Sequence, residues 1–153
     1  MKYLILENIR SAYNVGAMFR TADATGVEKI FLIGYTPTPV DRFGRAQAEI
    51  TKTSLGASEE IGWEHLSETT DLVKKLQAEG VIVVAVEQCP ESVTLKEFVV
   101  PDKVAYIVGN EVGGVDAETL KIVDTIVDIP MLGKKESLNV SVTAGIVLYH
   151  GLV

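Results

Sequence analysis

The sequence has a single cysteine, Cys89, and only two histidines, His65 and His150. An internal disulfide is therefore excluded, and so few soft ligands make a poor zinc set, so no metal centre is expected. No apolar stretch approaches the roughly 18 uninterrupted residues of a membrane-spanning helix. The apolar part of "MKYLILENIR" is too short for a secretory signal. A reducing, cytoplasmic setting with no membrane partner fits these absences. Nucleotide signatures are missing too: neither G-x-G-x-x-G nor G-x-x-x-x-G-K-[ST] occurs, which argues against a conventional dinucleotide-binding or phosphate-loop enzyme. A Ser-His-Asp arrangement is not persuasive, because His65 sits in a polar, acidic stretch and His150 lies three residues from the last. There is no internal repeat, low-complexity tract or linker.

What remains is an ordinary globular composition. The 153 residues are 47% apolar and 23% charged, which predicts one domain over residues 1–153 with a substantial core. The net charge of −7 argues at first against a polyanionic partner. Its distribution says otherwise. Residues 1–58 hold seven Lys/Arg and five Asp/Glu, residues 59–128 hold five and fifteen, and residues 129–153 hold two and one. All four arginines (Arg10, Arg20, Arg42, Arg45) fall in the first 45 residues. Such asymmetry permits a local polyanion site on an acidic body, although chance clustering of arginines would account for it as well.

Strand-like and helix-like segments alternate. "YLIL" (3–6), "KIFLIG" (29–34), "VIVVAVE" (81–87), "VAYIVG" (104–109) and "TIVDIP" (125–130) read as strands, the third and fourth as runs covered on both faces. Residues 14–26 read as a helix, with Val15, Met18, Phe19 and Ala22 at helical spacing and Gly26 as its stop. Further helices are expected around 45–54, over 67–80 behind a capping box at Ser67 or Thr69, over 116–123, and over 139–152. This alternation predicts an α/β fold with a mostly parallel sheet and helices on both faces.

In open α/β sheets ligands bind beyond the carboxyl ends of strands. The segments there are "EQCP" (87–90), "GNEVGG" (109–114) and "PMLGKKESLN" (130–139), three loops able to form one wall, although glycines of this kind also occur in plain turns. On the first helix Asn14 and Arg20 lie about 120° apart around the axis, so they can flank one site from neighbouring faces. Arg20 falls among apolar residues, where an unpaired charge is costly; pairing with Asp23 would be the ordinary solution.

Taken together, "NIRSAYNVGAMFRTADATG" (8–26), "VAYIVGNEVGGV" (104–115) and "IPMLGKKESLNVSVTAG" (129–145) resemble the three ordered motifs of the SpoU (TrmH-like) RNA ribose methyltransferases of the SPOUT superfamily. The resemblance covers essentially the whole chain, and is to the bare catalytic domain without a separate RNA-binding domain. It implies a deep trefoil knot in the last third, S-adenosyl-L-methionine as cofactor, methylation of a ribose 2′-hydroxyl in tRNA or rRNA, and a homodimer. On the same basis Gly109, Ile129, Met131 and Leu138 would line the cofactor pocket, with Glu87 and Asn110 beside them. Asn14, Arg20, Glu111, Ser137 and Asn139 match the family's polar active-site positions. An arginine at the position of Arg20 is described in relatives as a base. A guanidinium almost never gives up its proton, which favours a phosphate clamp instead. The charge split nominates Arg10, Arg42, Arg45, Lys134 and Lys135 as the RNA-receiving groups, with Phe43 either a stacking platform or a cover for the core. The helix over 139–152 is apolar almost all round and, with the ending "GLV", asks for a partner surface; the pair of helices 14–25 and 139–152 is the expected dimer interface. Two other readings stay open at this level, a catalytically silent SpoU-like domain and a flavodoxin-like module for a small ligand or a protein.

Overall fold

Unbroken β-branched runs need cover on both faces, and the architecture supplies it. The computed structural model describes residues 1–153. In chain order the elements are β1 (Lys2–Glu7), α1 (Ala12–Ala24), β2 (Lys29–Ile33), α2 (Ala48–Ser54), α3 (Ala57–Glu60), β3 (Gly62–Leu66), α4 (Thr69–Ala78), β4 (Ile82–Val86), β5 (Val93–Thr94), a short 3-10 turn (Leu95–Glu97), β6 (Val104–Val108), α5 (Ala117–Leu120), β7 (Thr125–Asp128) and α6 (Val140–Tyr149). The strands form one seven-stranded sheet in the order β3-β2-β1-β6-β4-β7-β5. Every ladder is parallel, so the expected mostly parallel sheet is wholly so.

Alternate strand residues feed two cores. Leu4, Leu6, Ile30, Leu32, Val84, Tyr106 and Val108 point to one face, where α1, α2, α3 and α6 bury Phe19, Ile50, Ala57 and Leu148 against them. Ile5, Phe31, Ile33, Val83, Ala105 and Ile107 point to the other, where α4 contributes Leu72, Val73 and Leu76. Each such side chain contributes roughly 1.5–3 kcal/mol when fully buried. The three layers hold the carboxyl ends of the strands in fixed register, for example Leu6 beside both Leu32 and Val108.

One sequence expectation needs correction, and three features went unread. Residues 62–66 carry an edge strand that periodicity did not mark, and Val93–Thr94 a second, two-residue one. The capping box at Ser67/Thr69 does not form: Glu68 is the N-cap of α4 and makes no side-chain cap bond. The Thr69 hydroxyl donates instead to Glu7, a carboxylate only 1% exposed at the end of β1. That buried charge must be fully hydrogen-bonded, and Asp116 N (2.7 Å) and the Thr119 hydroxyl (2.7 Å) complete its set. Finally, α6 is buried on one face only. Val140, Ala144, Val147 and Leu148 enter the core, whereas Val142, Ile146 and Tyr149 are 37–49% exposed.

Candidate active site

Parallel strands end side by side, so their following loops meet. The segments after β4, β6 and β7 close around a cavity of about 350 Å³. Glu87, Gly109, Asn110, Glu111, Ile129, Met131, Ser137 and Leu138, eight of the residues singled out from sequence, line it together. Two glycines make the close packing of its wall feasible. A Cβ on Gly109 would lie 2.4 Å from both Gly114 C and Val115 N, and Gly114 has φ +71 with its missing side chain facing Glu87 Oε2. Between them the chain doubles back through an antiparallel bridge, Gly114 N donating to Asn110 O (2.9 Å) and Asn110 N to Gly114 O (3.1 Å).

The Asn110 side chain is spent inside the protein. Its Nδ2 donates to Asn8 O (2.9 Å) and Tyr35 Oη (2.8 Å), and its Oδ1 accepts from Val112 N (2.9 Å) and Gly113 N (2.8 Å). Two donors and two lone pairs are thereby filled. Asn110 shapes the loop, its side chain and its backbone N–H and C=O all being paired within the protein. Glu87 is similarly engaged, accepting from Gln88 N and Val115 N, both at 3.0 Å.

Glu111 joins two distant parts of the chain. Its carboxylate accepts from Arg10 N (2.9 Å) and Ser11 N (3.0 Å), just ahead of α1, and from Asn14 Nδ2 (3.4 Å). Burial works against the charged form, but the backbone N–H groups of Arg10, Glu111 itself and Ser11, together with the Asn14 amide, outweigh it and hold the Glu111 pKa below the usual carboxylate range. Asn14 Oδ1 in turn accepts from Asn139 Nδ2 (3.3 Å). Asn139 is the N-cap of α6, its Oδ1 accepting from Ser141 N (2.8 Å). One polar chain, Glu111–Asn14–Asn139, thus ties the three motifs at the cavity mouth, with Ser137 exposed beside it.

Arg20 is not part of this cluster. Within one chain it is exposed and lies in a separate groove between α1, α2 and α6. The expectation that Asn14 and Arg20 flank one site from adjacent faces therefore fails for a single chain: Asn14 turns inward to Glu111, and Arg20 turns outward. Arg20 does not pair with Asp23; it makes no ion pair and shares its groove with Ala17, Ala24 and Leu55. The other nominated basic groups, Arg10, Arg42, Arg45, Lys134 and Lys135, are exposed. Lys134 and Lys135 lie in the 129–139 loop without lining the cavity. On the 35–45 loop Phe43 is 66% exposed, which removes the core-cover reading. The guanidinium groups of Arg42 and Arg45 lie 4.7 and 5.0 Å from its ring centre, and Arg45 Nε also pairs with Asp41 (2.9 Å). Both histidines are occupied structurally, His65 with Gly34 O and His150 with Phe98 O, each at 2.7 Å.

Sequence reasoning missed Asp128 and Glu136, which also line the cavity. With Glu87 and Glu111 they make its ionisable lining wholly acidic, with no lysine or arginine. Such a cavity favours a ligand carrying positive charge. The groups present suit a compact, cationic, partly apolar ligand: apolar Ile129, Met131 and Leu138, glycine backbone that a Cβ would obstruct, and carboxylates. No cluster of His, Cys, Asp and Glu able to hold a metal occurs, and no helix is long and apolar enough to cross a membrane.

Known proteins share this fold. A 23S rRNA (guanosine-2'-O-)-methyltransferase RlmB of Neisseria meningitidis serogroup B is 34% identical over 145 residues, covering 95% of this chain and 55% of the relative. An AdoMet-bound rRNA methyltransferase from Sinorhizobium meliloti superposes with a TM-score of 0.87 at 29% identity, over 97% of this chain and 54% of that one. The A. aeolicus TrmH/SpoU tRNA modifying enzyme gives 0.85 at 28% identity, over 97% of this chain and 72% of that one. The chain spans just over half the length of the curated relatives it matches. The description of the SpoU rRNA Methylase family matches residues 1–149, from β1 through the last residue of α6. With the loops after β4, β6 and β7 meeting at one cavity and the family match spanning nearly all of the chain, the chain belongs to the SpoU rRNA methylase family.

Proposed function

We propose that the chain methylates a ribose 2′-hydroxyl in RNA, with S-adenosyl-L-methionine as methyl donor. The observation that carries this reading is the glycine-walled, acidic cavity joined at its mouth to the Glu111–Asn14–Asn139 chain. Its volume, about 350 Å³, lies within the range of small-molecule sites. Bound there, the cofactor supplies a methyl group already activated on a positively charged sulfur. Backbone groups of Gly109, Ile129 and Leu138 would hold it, Met131 and Ile129 would cover its apolar parts, and the carboxylates would offset its charge.

The protein's own contribution is then alignment, which can supply much of the acceleration. Asn14, Ser137 and Asn139 would orient the ribose through hydrogen bonds. Glu111, kept ionised by its N–H donors, holds α1 and Asn14 in place. Arg20 would clamp an RNA phosphate and stabilise developing alkoxide charge. Because Arg20 lies outside the cavity of its own chain, this role requires a second copy. The exposed apolar stripe Val142, Ile146 and Tyr149 on α6, adjoining α1, supports a homodimer there. Arg10, Arg42, Arg45, Lys134 and Lys135 would receive the rest of the RNA, with tRNA and rRNA both open as substrates. The trefoil knot over the last third and a cytoplasmic setting belong to the same reading.

Calorimetry with S-adenosylhomocysteine, followed by transfer of labelled methyl to RNA and mapping of ribose methylation, tests the proposal. One site per chain and labelled 2′-O-methylribose are expected. Binding of NADH or FMN with no response to either adenosyl ligand would overturn it. Arg20→Lys should abolish most transfer while leaving cofactor binding nearly intact, because lysine lacks the bidentate fork.

A further inference from the structure

The groove that holds Arg20 has its own chemistry. It is lined by Tyr13, Ala17, Arg20, Thr21 and Ala24 of α1, Lys52, Thr53 and Leu55 on or next to α2, and Tyr149 of α6, and has a volume of about 560 Å³. Two cations and no carboxylate line it. This is unexpected in a chain with 21 acidic and 14 basic side chains. The neighbouring acids in sequence, Asp23 and Glu49, pair with neither Arg20 nor Lys52. The cofactor cavity is the reverse, with four carboxylates and no cation.

Packing, not chance exposure, brings Lys52 to Arg20's groove. A Cβ on Gly16 would lie 1.8 Å from Thr53 Oγ1 and 2.8 Å from Ile50 O, so α2 crosses α1 at a distance that only glycine allows. The Thr53 hydroxyl then donates to Tyr13 O (3.2 Å), across the two helices. With Ile50 fully buried behind it, α2 is fixed in rotation and Lys52 is left on the open side beside α1.

We propose that Lys52 and Arg20 form a two-cation subsite for the RNA sugar–phosphate backbone, with Lys52 an RNA-binding residue in its own right. The inference rests on the RNA reading of the function. A forked guanidinium and a flexible ammonium on adjacent helices suit one or two consecutive phosphates: Arg20 fixes geometry and Lys52 adds a point charge. Tyr13, 61% exposed and outside the α6 stripe assigned to the dimer, gives the same groove an aromatic face, as proteins that bind single-stranded RNA commonly offer.

The test measures binding of a fluorescein-labelled oligouridylate by anisotropy across a salt series, for the full chain and for Lys52→Ala and Lys52→Arg. Light scattering and S-adenosylhomocysteine calorimetry are run on each. Lys52→Ala should flatten the log–log salt slope by about 0.7, the value of one lost phosphate contact on a single strand. Lys52→Arg should restore the slope, and cofactor affinity and molecular mass should not change. An unchanged slope in Lys52→Ala overturns the subsite. A flattened slope that coincides with dissociation of the dimer overturns it too, because the groove would then serve a carboxylate of the second copy. Loss of the methyltransferase reading would appear separately, as absent S-adenosylhomocysteine binding in the unaltered chain, a measurement that Lys52 does not enter. An unaltered chain that binds S-adenosylhomocysteine but no oligouridylate overturns the subsite.

Discussion

Replacing Gly109 by alanine tests the cavity at its tightest point. The added Cβ would meet Gly114 C and Val115 N at 2.4 Å and Gly114 O at 2.5 Å. Carbon atoms pack at about 3.5–4.0 Å, so residues 114–115 must retreat by ~1 Å. Three hydrogen bonds resist that retreat: the two of the Asn110–Gly114 bridge, and Val115 N to Glu87 Oε2 at 3.0 Å. A backbone bond contributes about 0.5–1.5 kcal/mol and one to a carboxylate about 1.5–3, so losing all three would cost at most roughly 6 kcal/mol. Partial relaxation brings the expected loss to about 2–4 kcal/mol, a fall in Tm of roughly 5–15 °C for a chain of this size. S-adenosylhomocysteine should bind at least about tenfold more weakly, since the moved backbone is the cavity wall. Gly113→Ala is the matched control: its nearest neighbour would be Asn110 Oδ1 at 3.7 Å, and its φ is not positive. Calorimetry and thermal denaturation of both variants decide the matter. Wild-type affinity and Tm in Gly109→Ala would refute the close-approach argument.

Glu111→Gln should destabilise the protein at neutral pH. The folded-state pKa of Glu111 is depressed, so its stabilisation is complete above the unfolded value of about 4.3 and is lost as pH falls through the folded value. The gap in Tm between wild type and variant should therefore close under acid, and a pH-independent gap would exclude the charge as its source. Ile146→Asp places a charge on the exposed stripe of α6 and should weaken dimerisation by at least about tenfold in light scattering; an unchanged mass at low protein concentration would place the interface elsewhere. Arg42→Ala with Arg45→Ala should flatten the salt slope of RNA binding by about 0.7 per lost contact without touching cofactor affinity. An unchanged slope would mean that RNA docks away from the 35–45 loop.

Periodicity revealed what local chemistry decides. Val15, Met18, Phe19 and Ala22 are all buried on α1, as their spacing demands, and the runs at 82–86 and 104–108 are covered on both faces. The β3 segment was opaque because it pairs on one side only, leaving Trp63 and Glu64 partly exposed and His65 exposed, with no alternation to read. The capping box misled because a buried carboxylate six elements away in the chain claims the Thr69 hydroxyl. A helical wheel places Arg20 about 120° from Asn14 but cannot say that α2 and α6 flank that face. Lys52 carried no signal at all: its importance arises from the Gly16–Thr53 contact, visible only once two helices are packed. The motif loops were legible through family resemblance, whereas the Asn14–Asn139 bond, spanning 125 positions, needed the tertiary fold.

The sheet order bears on how the chain is made. β1 and β4 do not touch; β6 lies between them. While the ribosome extends the chain, β1, β2 and β3 can pair with one another, but β1 keeps an open inner edge until Val104–Val108 emerges, and β4 keeps both edges open until β6 and then β7 arrive. Open apolar edges are templates for pairing with other chains, and insertion of a strand between two waiting neighbours is slow because long loops must close first. The central seam of the sheet is therefore a window of vulnerability during synthesis. Rapid growth at high temperature should make nascent chains aggregate there well before the finished protein reaches its own melting point.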